Sequence, residues 1–170
     1  MNSTKGFTLI ELIVVIILIS ILSAVGIGLF SSSDQYSARL ASDRWLAGLR
    51  LAQRLSLQKQ NASNLVVMTV TSGSDSWGFS IDQAGINLSD FEIEKEQLDI
   101  RISTSSFSAA CSTLPVMSFP NTFNFNGYGD LVSATRVQES TNTRLCFIGA
   151  QTMDLCISPS GYTYEGLCAG

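Results

Sequence analysis

Residues 7–30 run FTLIELIVVIILISILSAVGIGLF, and among these twenty-four side chains Glu11 carries the only charge. About twenty apolar residues in a helix cross the hydrocarbon core of a bilayer, so the block is long enough to span one. A cleaved secretory signal has a shorter apolar region, followed by a small-residue cleavage motif. This block instead flows into a helical pattern, which favours a retained helix. The remaining residues read as a Ser/Thr/Asn-rich soluble domain, and 170 residues suffice for one such domain.

Glu11 argues against a plain membrane anchor. A carboxylate inside an apolar helix costs about 2.5–3.5 kcal/mol of insertion free energy and is kept mainly where it has a partner. The segment K-G-F-T-L-I-E-L at 5–12 resembles the prepilin signature of type IV pilins and type II secretion pseudopilins. That resemblance implies a prepilin peptidase that cuts between Gly6 and Phe7 and methylates the new amino group of Phe7. Residues 1–6 are then a leader, and residues 7–30 a transmembrane or filament-core helix. It further implies a single-pass protein of the bacterial inner membrane with its head in the periplasm. An assembly platform would pass it into a pilus or pseudopilus among other pilin or pseudopilin subunits. The physical chemistry agrees with this: Gly6 leaves the backbone open to a protease, and Lys5 holds the leader on the cytoplasmic side. The amine released at Phe7 is a natural partner for Glu11 of a neighbouring subunit, because pairing relieves the desolvation of both charges. Many pilins carry a proline where this chain has Gly28, with Gly26 close by. Glycine also weakens a helix, by about 1 kcal/mol relative to alanine. The departure leans toward a minor subunit.

Beyond residue 30, Leu40, Ala47, Leu51 and Leu55 recur at helical spacing and predict one apolar face over 31–63, with Arg39, Asp43, Arg50, Arg54 and Lys59 opposite as a solvated face. A continuous helix to about residue 60 would be roughly 80 Å long. Asn61 and Asn64 bracket its end. Strands are expected at 64–71, 77–82, 98–103, 122–126, 144–149 and 154–159, with Gly127, Gly129 and Gly161 as turn points. The polar, acidic stretch 82–97 reads as a loop or short helix. The fold class is α+β: a long N-terminal helix, half of it amphipathic, packed on an antiparallel β-rich head over 64–170. A helix ending in LRLAQRLSLQKQNASNLVV at 49–67, followed by strands with FNFNGYGDL at 123–131 and CISPSGYTY at 156–164, resembles the GspH/FimT group of minor pilins and pseudopilins, and the minor pilins of mannose-sensitive haemagglutinin pili. The resemblance implies a pilin fold and a structural or assembly role, with a filament-displayed adhesin or DNA-uptake subunit as the alternative.

Four cysteines, Cys111, Cys146, Cys156 and Cys168, lie in the head, where an oxidising periplasm would pair them. Three pairings are possible. Cys146 and Cys156 sit symmetrically about Gln151 in a hairpin-like stretch, which predicts Cys146–Cys156 and leaves Cys111–Cys168. Without a C-x2-C pair, a zinc centre is not expected, and neither is any other metal or cofactor. Asp130 and Asp154 lie in no dense acidic loop, which favours turn or strand-end roles over calcium. The Asn61 and Asn87 sequons read as ordinary polar residues in a bacterial export context. The chain has no histidine, so a general base near neutral pH is hard to assemble, and no enzyme is expected. With ten basic against fourteen acidic residues, and Arg144 the one cation after residue 140, nucleic acid is not an expected partner.

Overall fold

The computed structural model describes residues 8–30, 33–58, 65–95 and 98–169, with the side chains of 24–30 and 33–35 outside the description. The chain divides into two compact units, residues 1–34 and 35–170. The first is helix α1 (Leu9–Phe30), and Gly26 and Gly28 fall within it. Every described side chain from Thr8 to Ser23 is exposed, including Leu9, Ile13, Ile17 and Leu22, so α1 is apolar on all sides rather than along one stripe. Ser20 turns its hydroxyl back to the carbonyl of Ile16 at 2.7 Å, so this donor is satisfied within the helix. Taken over the described residues, whose α1 side chains end at Ser23, no helix is long and apolar enough to cross a membrane.

Helix α2 (Ser33–Gln58) leads into the second unit. Nine strands follow among the described residues: β1 (Val66–Ser72), β2 (Ser76–Gln83), β3 (Ile86–Glu94), β4 (Asp99–Ser103), β5 (Asn121–Phe125), β6 (Leu131–Val132), β7 (Thr143–Ile148), β8 (Thr152–Ile157) and β9 (Thr163–Glu165). They form two antiparallel sheets, ordered β3-β2-β1-β5-β6 and β4-β7-β8-β9. The α+β class and the order of its elements are consistent with a pilin fold. The single helix expected to run to residue 60 appears as α1 and α2, and residues 31–32 and 59–64, Asn61 and Asn64 among them, lie outside the described residues.

The buried stripe of α2 is not the one that its leucines suggest. Ala38, Ala41, Trp45, Leu49, Ala52 and Ser56 are buried, whereas Leu40 is 47% and Leu51 38% exposed; Ala47 is exposed too, and Leu55 is half-buried. The reason is steric. Alanines and Gly48 let the helix backbone approach the sheet, and Trp45 then fills the space between the layers. Its ring meets Phe79 at 5.0 Å, Phe147 at 5.5 Å, Trp77 at 6.2 Å and Phe123 at 6.4 Å, all edge to face. Because Phe147 belongs to one sheet and the other three to the second, a single indole ties both sheets to α2. At Gly48 a Cβ would stand 2.6 Å from the ring of Phe91, so glycine is what admits that ring.

Residues 82–97, expected as a loop or short helix, contain β3. The turn before it is Ala84-Gly85, both at positive φ (52° and 78°), the primed geometry that matches strand twist in a two-residue hairpin. From there Phe91 and Ile93 alternate with Asp90, Glu92 and Glu94, a period-2 pattern masked by its polar composition. β7 shows the opposite burial: five consecutive residues are buried, because segment 106–114 covers the face of its sheet turned away from Trp45.

Candidate functional site

Gly6 and Phe7, the expected cleavage and methylation positions, lie outside the described residues. Glu11 is described, at the third position of α1. Its Oε2 accepts from the backbone N–H and from the hydroxyl of Thr8, both at 2.9 Å, while the Thr8 hydroxyl oxygen faces the Glu11 N–H at 3.4 Å. This is a capping box, in which the cap residue and the third helical residue satisfy each other's free backbone donors. The T-x-x-E spacing at 8–11 carries that signal in the sequence, and reading Glu11 only as a partner for another subunit missed it. The carboxylate is therefore satisfied within its own helix and sits at the positive end of the helix dipole.

The disulfides are Cys111–Cys146 and Cys156–Cys168, which corrects both expected pairs. The cause is hairpin register. Ile148 pairs with Thr152, so the β7–β8 turn is centred on Ala150 rather than Gln151. Cys146 thus faces Asp154, and Cys156 faces Arg144, leaving the two cysteines diagonal. The other diagonal of that square is closed by an ion pair, Arg144 Nε to Asp154 Oδ1 at 2.8 Å. Each cysteine then turns outward to a covering segment: Cys146 to the 3-10 turn Cys111–Thr113, and Cys156 to the C-terminal Cys168. The bridges close separations of 35 and 12 residues, and restriction of the unfolded chain by such loops contributes about 3–4 kcal/mol each.

Arg144 is 2% exposed and fully engaged. Besides Asp154 it donates to the carbonyls of Ala109 (2.7 Å) and Ser106 (3.3 Å), and its Nη2 lies 3.3 Å from Cys111 Sγ. Asp154 Oδ1 lies 3.0 Å from Cys146 Sγ and 3.3 Å from Cys111 Sγ. The cluster of Cys111, Cys146 and Asp154 has the compactness of a metal site. Its donor chemistry does not fit one: the sulfurs are bonded to each other and offer no thiolate, and a guanidinium already neutralises the carboxylate. Asp130 likewise has a turn role, accepting from Asn126 Nδ2 at 3.1 Å while Asn126 Oδ1 takes the N–H groups of Tyr128 and Asp130. Asn87 stands on β3, its amide donating to Asp90.

Polar clamps fix α2 to the start of β9 and to the loops at Gly129 and Ser160. Arg50, expected on a solvated face, is half-buried and donates through Nε and Nη2 to the carbonyl of Thr163 (3.2 and 3.0 Å). Gln53 Nε2 reaches the carbonyls of Ser160 (3.0 Å) and Gly129 (3.3 Å). Next to them a hydrogen bond with Asp43 raises the pKa of Glu165 above its ordinary value; burial and the Asp43 charge push the same way, against Arg39 and Arg50.

These observations define a class: an α+β protein with an apolar, capped N-terminal helix and a disulfide-bonded β head. Residues 1–27 match the family model of the prokaryotic N-terminal methylation motif, a type IV pilin-like signature. No curated protein and no solved structure matches the chain. The motif makes the chain type IV pilin- or pseudopilin-like in general terms, and proteins that carry it are structural rather than enzymatic. It implies contact with other pilus subunits, processing by a prepilin peptidase, and association with a pilus or pseudopilus.

Proposed function

We propose that the chain is a minor type IV pilin or pseudopilin subunit, a structural and assembly component of a bacterial pilus or of a type II secretion pseudopilus. Residues 1–6 are removed, Phe7 is methylated, and α1 serves first as an inner-membrane helix and then as part of a filament core, with the head in the periplasm. The observation that carries this reading is Glu11, set in the first turn of a helix that is apolar on every described side and lies within the matched motif. Before assembly the Thr8 cap satisfies the carboxylate; in the filament the Phe7 amine of a neighbour takes its place as partner. The exchange leaves neither charge unpaired in apolar surroundings.

The capping box makes this testable without confusing the two roles. Glutamine at the third helical position still completes the cap, whereas valine does not. Glu11→Gln is therefore expected to leave leader removal and membrane insertion intact while sharply reducing recovery of the subunit in sheared filaments. Recovery of Glu11→Gln at the wild-type level, with Glu11→Val alone defective, would reduce Glu11 to a helix cap and count against the assembly role.

A further inference from the structure

Strand β3 is the edge of the five-stranded sheet, hydrogen-bonded to β2 on one side, and among the described residues no strand pairs with its other side. Natural edges are commonly protected by shortness, proline, lysine or charges pointing inward. β3 has nine residues, INLSDFEIE, without proline or lysine; its register shifts opposite Ile81/Asp82, near its start, and beyond that irregularity residues 89–94 pair regularly with β2. Its backbone donors and acceptors on the free side form a template for one more strand.

Two further features flank that edge, one on each face of the sheet. On the core-side face, a groove of about 230 Å³ runs between β3 and α2, lined by Ala47, Leu51, Phe91 and Ile93 with Arg44 and Glu92 at its rim. Leu40, on the same face of α2, extends the apolar stripe along it and is 47% exposed. On the opposite face, strand alternation aligns Asp90, Glu92 and Glu94. Asn87 donates to Asp90, and Ser76 lies 3.5 Å from Glu92. The salt bridges among the described residues, Arg101–Asp99 and Arg144–Asp154, involve none of these three carboxylates.

We propose that this edge is a docking site for an extended segment of a partner protein, a segment that alternates apolar and basic residues and adds to the sheet as a strand beside β3. Main-chain bonds to the edge supply the framework. Alternation sends one set of partner side chains onto Ala47 and Leu51 and the other alongside Asp90, Glu92 and Glu94. Charge selects the occupant: a second copy pairing β3 to β3 would set these carboxylates against their own kind, which is repulsive in either direction. The proposal is independent of whether the chain assembles into a filament.

The test uses the full chain in zwitterionic micelles and a short synthetic peptide alternating valine and lysine, with empty micelles as control. Hydrogen exchange is expected to show peptide-dependent protection within residues 86–94. A peptide with a central proline, and one with glutamate for lysine, are expected to bind at least about tenfold more weakly. Asp90→Asn, Glu92→Gln and Glu94→Gln combined should weaken the lysine peptide about tenfold, and Leu51→Lys should weaken it too. The surface charge changes leave the fold intact, so they decide the matter even if Leu51→Lys misfolds. Equal binding of the proline peptide, protection confined to other segments, or indifference to the triple substitution would overturn the proposal. So would concentration-dependent protection of 86–94 without peptide, which would assign the edge to a second copy.

Discussion

Gly161 and Arg144 show how single residues constrain the head. Gly161 sits at φ 73°, and a Cβ there would run into the carbonyl oxygen of Gly129, which together with the carbonyl oxygen of Ser160 accepts from the Gln53 amide. Gly161→Ala combines a left-handed backbone with a clash against main chain, so it should destabilise the head by about 2 kcal/mol or more, measured by denaturant unfolding. Arg144→Leu would leave Asp154 and the carbonyls of Ser106 and Ala109 without their donor. Loss of a buried ion-pair partner costs about 3–5 kcal/mol, and the same unfolding measurement should show that loss with both disulfides still formed. An Arg144→Leu head as stable as wild type would mean that water replaces the guanidinium there.

Elements were legible in the sequence to the degree that their burial followed composition. β1, β2, β4, β5, β7 and β8 announce themselves through β-branched and aromatic residues between turn signals, and all lie close to their expected places. β3 was hidden because an edge strand can carry three carboxylates on its solvent face. α2 was found, but its face was misread, since large leucines outweighed the alanines that allow close approach around Trp45. The cysteine pairing failed on one residue of register: a turn centred on Ala150 instead of Gln151 makes a facing pair diagonal. The contact between α2 and β9 carries a pH dependence no sequence pattern signals. Because the Glu165 pKa is raised in the folded state, its bond to Asp43 stabilises fully below the unfolded carboxyl range and is lost as pH rises through the raised value. Glu165→Gln keeps a donor for Asp43 and removes the repulsion, so its melting temperature should exceed that of wild type at pH 7 and converge with it in acid. An equal gain at both pH values would dismiss the carboxyl pair.

For the molecule as a whole, the two units have different requirements. The head meets its own: Trp45 joins both sheets to α2, and two disulfides fasten the covering segments to the outside of the β7–β8 hairpin. Helix α1 does not, because its described side chains are exposed and apolar on all sides and call for lipid or neighbouring helices. Thr8 caps Glu11 within this helix, and the proposed assembly role adds a neighbour's amine as its partner in the filament. The most direct test of this account is N-terminal peptide mapping by mass spectrometry, on protein from the membranes and sheared filaments of its own cells. The account predicts a chain that begins at Phe7 with one methyl group on its amine. A chain that keeps residues 1–6, or begins at Phe7 unmethylated, would contradict it.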